Sequence, residues 1–189
     1  NANGFDLYVQ LVSGGNPLRL KDTQARGRPA WSPDGTQIAY QRTDGLYVVP
    51  ALGGMGRRVA ALGSLVNTAN VAWAPTGSFF IVDGRGAALL NIPGDGGQPR
   101  ALTRPGNAGD GSPAIAPDGR AVAFVRYTST FNANLLVLPL TKERLAAGEP
   151  RSIARSTSSI RSLSWTSDGR DILFENAPGG GNAAIWRIS

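Results

Sequence analysis

The hexad Ala30-Trp31-Ser32-Pro33-Asp34-Gly35 recurs three times, as Ala72-Trp73-Ala74-Pro75-Thr76-Gly77, Ala114-Ile115-Ala116-Pro117-Asp118-Gly119 and Ser164-Trp165-Thr166-Ser167-Asp168-Gly169. Its large apolar residue falls at 31, 73, 115 and 165, in steps of 42, 42 and 50. Self-similarity at this spacing marks an array of supersecondary units, none of which can bury its apolar face alone. Inside the hexad, Pro presets φ for the second position of a type I turn, Asp or Thr suits the next, and Gly closes it. The small residue and Trp ahead of the turn favour a pleated, half-buried surface. Pro and Gly interrupting the copies exclude a helix.

The rest of each unit repeats too. Behind the turn come Ile38-Ala39-Tyr40, Phe80-Ile81-Val82, Val122-Ala123-Phe124 and Ile172-Leu173-Phe174. Polar/apolar alternation is weak in these segments, which predicts sheets covered on both faces. A Gly-containing loop leads to a third apolar run, such as Leu46-Tyr47-Val48-Val49, and a further Gly-rich turn to a short Arg-bearing segment. Four short strands per unit of 42 residues predict an all-β chain built of β-propeller blades.

The expected organisation is a single propeller domain or propeller segment over residues 1–189. Its units are a partial one at 5–20, full ones at 28–60, 70–103 and 112–154, and a partial one from 161 to 189. The first holds a third strand over 5–12 and a fourth over 17–20; the last holds three strands. The resulting seventeen strands, four to five blades, do not make whole blades, so the expectation is part of a larger propeller. The alternative is a blade completed by a strand exchanged with a neighbouring molecule, since an open edge accepts another strand. The third full unit carries an extra loop over 127–134 and an outer segment, 141–148, that reads as a short helical turn ending at Gly148.

Composition narrows the chemistry. With no Cys and no His, the chain contains no thiol nucleophile, disulfide, thiolate or imidazole metal site, and no Ser-His-Asp relay. No apolar run is long enough for a transmembrane helix. No basic and apolar leader opens the chain, and the Asn start points to a processed chain or an excerpt. The net charge of +6 rests almost wholly on arginine, since Lys21 and Lys142 are the two lysines. Arg19, Arg58, Arg100 and Arg151 take matching places on the outermost strand, where charge discourages edge pairing. Arginines spread around a rim form no single groove, which argues against a nucleic-acid partner.

Other candidates resolve into architecture. Asp34, Asp118 and Asp168 sit in turns, where Asp bonds its own backbone, and they lie on different units. Asp95 lacks the further oxygen ligands of a calcium loop. The clusters Gly53-Gly54 and Gly179-Gly180-Gly181 lack the Lys-Ser/Thr and helix of a phosphate cradle. Trp31, Trp73 and Trp165 are expected in the core between blades. No catalytic residue, metal site or cofactor is expected.

The unit running from Pro29 to Gly35 and on through Ile38-Ala39-Tyr40 resembles the TolB-type, WD-like propeller repeat, and four copies carry the likeness over nearly the whole chain. Thr76 for Asp and Ser167 for Pro depart from the pattern. Longer phrases, among them Leu7-Tyr8-Val9-Gln10-Leu11 leading to Gly14-Gly15, are similar to propellers appended to bacterial membrane-anchored winged-helix regulators and serine/threonine kinases. That resemblance implies an extracytoplasmic (periplasmic or cell-surface) sensor or scaffold part that binds a protein, peptide or small ligand without catalysis. It also implies one face bearing the loops from each fourth strand to the next blade and from second to third strands. The candidates there are Arg26, Arg28, Asn67, Asn70, Asn107, Asp110 and Arg161, with Tyr127, Phe131 and Asn134. Two other functions fit the same repeats: the substrate-gating propeller of a prolyl-oligopeptidase-like serine peptidase, and a subunit polymerising by strand donation.

Overall fold

A computed structural model of the chain describes residues 4–62, 70–83, 88–129, 132–177 and 181–189. Those residues form sixteen strands in four antiparallel sheets, with no α-helix among them. The first sheet holds β1 (Phe5–Val9), β2 (Leu18–Trp31), β3 (Gln37–Arg42), β4 (Gly45–Pro50) and β5 (Arg57–Ala61). The second holds β6 (Val71–Trp73), β7 (Phe79–Asp83), β8 (Leu89–Pro93) and β9 (Arg100–Ala101). The third holds β10 (Gly109–Ile115), β11 (Ala121–Ser129), β12 (Asn132–Pro139) and β13 (Arg151–Ser156). The fourth holds β14 (Ile160–Trp165), β15 (Ile172–Asn176) and β16 (Ala184–Ile188). Within each sheet the strands pair in chain order, and β2, β6, β10 and β14 of successive sheets lie side by side. This is a β-propeller.

The 14-residue β2 serves two blades. Its first half pairs with β1 (Leu18↔Val9, Leu20↔Leu7) and its second with β3 (Ala30↔Ala39, Trp31↔Ile38). Left-handed backbone at Asp22, Gln24 and Gly27 bends it between the two. The expected break after residue 20 is therefore absent. Counting β2 twice reconciles sixteen elements with seventeen strand positions.

The hexads fold into one turn, copied four times. The amide of Gly35 donates to the Ser32 carbonyl at 2.9 Å, Gly77 to Ala74 at 2.8 Å, Gly119 to Ala116 at 2.8 Å and Gly169 to Thr166 at 2.9 Å. All four glycines have φ between 69° and 71°, a region closed to most side chains, which is why Gly ends every copy. Asp34, Asp118 and Asp168 accept the amides of Thr36, Arg120 and Arg170 at 3.1, 2.9 and 3.1 Å. Thr76 bonds Ser78 instead, and the turn keeps its form.

Both faces of the second strands are buried, because alternate residues serve different interfaces. Phe80 and Val82 pack on Ala39, Leu46 and Val48 of the preceding blade, while Phe79 and Ile81 pack on Val122, Phe124 and Leu138 of the next. Ala123 and Val125 then meet Ile172 and Phe174. A further cluster joins Leu20 and Ala25 to Ile38, Tyr40 and Val49.

Three expectations are corrected. Trp31 is 53% exposed rather than core, whereas Trp73 and Trp165 are partly buried. The latter two pack on the preceding blade. Segment 141–148 is not helical: Arg144 takes a left-handed φ of 64°, and a Leu140–Ala146 bridge closes a turn. Residues 127–129 and 132–134 are strand rather than loop, since β11 runs to Ser129 and β12 starts at Asn132.

Candidate functional site

The candidate face gathers the ends of second strands and the starts of first and third strands. Registry puts Arg26 opposite Gln41, Asp110 opposite Arg126, Arg126 opposite Asn134, and Arg161 opposite Glu175. Asn67 and Phe131 lie outside the described residues.

The other candidates divide into fasteners and exposed groups. Asp110, its side chain fully buried, receives two guanidinium bonds from Arg126, at 2.7 and 2.9 Å. That hydrogen bond raises the Arg126 pKa. Asn70 donates to Asp83 through its backbone N–H and its side-chain amide, both at 2.7 Å. The Tyr127 hydroxyl donates to the Ile160 carbonyl of the next blade at 2.8 Å, and burial pushes its pKa up. Asn134 is half-buried within β12. Arg28, Asn107 and Arg161 are exposed.

Arg28 closes the set across space. Its Nη1 donates to the Ser162 hydroxyl 134 residues away, and that hydroxyl in turn donates to Glu175 Oε2 at 3.3 Å. Arg28 and Arg161 both favour the ionised form of the Tyr127 phenol, although burial outweighs them. Two guanidinium groups, a phenol and the Ser162 hydroxyl thus share one face. Such a face can hold a polar or anionic group of a partner.

Sequence reasoning missed the polar residue three places after each second-strand anchor. Gln41, Asp83 and Glu175 follow Ile38, Phe80 and Ile172 at that spacing, with Val125 as the apolar exception. Gln41 Nε2 donates to the Asn70 carbonyl at 3.2 Å, and Asp83 also accepts the Ser112 amide at 3.4 Å. These groups stitch neighbouring blades at the rim of the face. Burial is the main cause that raises Asp83 to about 6, against the amide donors that lower it. Ser112 and Ser162 were also missed. Both sit at bulges with left-handed φ (52° and 50°), which turn the strand toward the face.

No family model matches the chain, and no curated protein matches it. Solved structures do. TolB from Acinetobacter baumannii superposes with a TM-score of 0.77 at 16% identity, over 96% of this chain and 45% of that one. A putative TolB from Agrobacterium tumefaciens gives 0.72 at 20% identity, over 92% and 61%. A structure from a study of two prolyl endopeptidases gives 0.62 at 14%, over 97% and 31%. The fold is thus a TolB-type β-propeller. The chain spans less than two thirds of each of these three structures.

Proposed function

We propose that the chain is a non-enzymatic propeller module whose strand-end face binds a protein or peptide, within an extracytoplasmic sensor or scaffold. The observation that carries this reading is the placement of Arg28, Arg161 and Asn107 as exposed polar groups on a rim fastened beneath them by Asp83, Asp110 and Tyr127. Rigid scaffolds presenting mobile polar side chains on loops and strand ends are suited to recognition. The likeness to TolB structures supports the same direction at the level of fold.

Peptides selected from a display library against the full chain test the reading. Binding to the strand-end face predicts that Arg28→Ala with Arg161→Ala weakens selected binders by about tenfold, the scale of a lost charge-assisted bond. Arg120→Ala, in the turn at the opposite strand end, should leave them unchanged. Binders insensitive to the first pair, or hydrolysis of peptides by the chain, count against it. The likeness to a prolyl endopeptidase structure favours a second reading, a substrate-gating propeller, which a Gly-x-Ser-x-Gly nucleophile elbow in the same polypeptide would support.

A further inference from the structure

A groove of about 360 Å³ opens between the second and third sheets, and neither Arg28 nor Arg161 lines it. One wall is β8, β9 and the segment after it; the other is β11, β12 and the turn at 144–150.

Four arginines line it, Arg100, Arg104, Arg126 and Arg144. Arg126 is compensated by Asp110. Among the described residues, Arg100, Arg104 and Arg144 pair with no carboxylate, and Glu149 is the single acid in the lining. The groove therefore carries excess positive charge. Repetition of the blade accounts for Arg100, a rim arginine, but not for Arg144, which lies in the outer turn peculiar to the third sheet.

Arg144 is held in place before any ligand arrives. Its Nη1 donates to the Ser78 carbonyl at 2.9 Å, its guanidinium lies 5.2 Å from the centre of the Phe79 ring, and its own carbonyl accepts Asn91 Nδ2 at 2.7 Å. The left-handed backbone at Arg144 is strained for a side chain of that size. Asn91, 92% buried by its 8% exposure, leaves Oδ1 without a donor among the described residues. A buried acceptor of this kind is costly unless a donor reaches it.

We infer that this groove binds a small oxyanion, carboxylate or phosphate, that also carries a hydroxyl or ammonium donor. The guanidinium groups match the planar oxygens of either anion. Asn91 Oδ1 takes the donor, and the volume suits a molecule of metabolite size.

Calorimetric titration of the full chain with glucuronate, with glucose 6-phosphate and with glucose separates the sources. Saturable binding of one or both anions, weakened by salt and absent for glucose, is the expected result. Which anion binds more tightly assigns carboxylate or phosphate. The exposed pair Arg100→Gln with Arg104→Gln should weaken binding by about tenfold or more without altering the fold. Asn91→Leu should weaken the hydroxylated anions while sparing sulfate, and circular dichroism checks that it folds; if it does not, the arginine pair alone decides. No saturation by either anion below roughly 10 mM, or affinity unchanged in the arginine pair, overturns the inference.

Discussion

Asp83 Oδ1 accepts the backbone N–H of Asn70 at 2.7 Å, and its Oδ2 takes the Asn70 side-chain amide at the same distance. Asp83 as a residue is 5% exposed, and its carboxylate also accepts the Ser112 amide of the next blade. Its pKa of about 6 lies above the ordinary 3.8, so the folded state holds the proton more tightly than the unfolded one. The stabilisation is fully present below 3.8 and lost as pH rises through 6. Relative to Asp83→Asn, the wild-type chain should gain about 2 kcal/mol in urea unfolding between neutral pH and about pH 4. A difference that stays flat across that window would refute the assignment.

The Asp110–Arg126 pair predicts an asymmetry. Arg126→Met strands a carboxylate with no exposed side-chain surface, whereas Asp110→Asn leaves a guanidinium that is 22% exposed and can reach water. Urea denaturation should place the first change at about 3 kcal/mol and the second well below it. Equal costs would mean the burial of Asp110 is not what makes the pair matter.

Trp165 Nε1 donates to the Ala114 carbonyl at 3.0 Å while its ring packs into the interface between the third and fourth sheets. Truncation to alanine should cost about 3–5 kcal/mol. Trp31→Ala, at the same place in the repeat but 53% exposed, should cost less than about 1 kcal/mol. Thermal unfolding of the two variants side by side checks the ranking.

Gly45 opens β4 against β5 with no room for a side chain. A Cβ there would stand 2.3 Å from the Ala60 carbonyl oxygen and 3.2 Å from Arg58 Cδ. Because the first neighbour is backbone, Gly45→Ala should destabilise by about 1–3 kcal/mol, read as a lowered melting temperature. An unchanged melting temperature would show that the β4–β5 pairing yields at little cost.

The sequence by itself determined the repeat, the four-strand blade, the turn at each hexad and the role of Asp34, Asp118 and Asp168 within those turns. These rest on contacts between residues a few places apart, where Pro, Asp and Gly each have a local conformational preference. It also showed, through weak alternation in segments such as Phe80-Ile81-Val82, that both sheet faces are covered.

Only the tertiary structure decided which distant groups meet. That Asp110 and Asn70 fasten the rim while Arg28 and Arg161 stay exposed depends on bulges and registry that no local preference encodes. Trp31 and Trp165 share a motif yet differ in burial, because burial belongs to the neighbouring blade rather than to the residue. The arginine groove arises likewise from two blades facing each other, with Arg104 and Arg144 far apart along the chain and on one cavity in space.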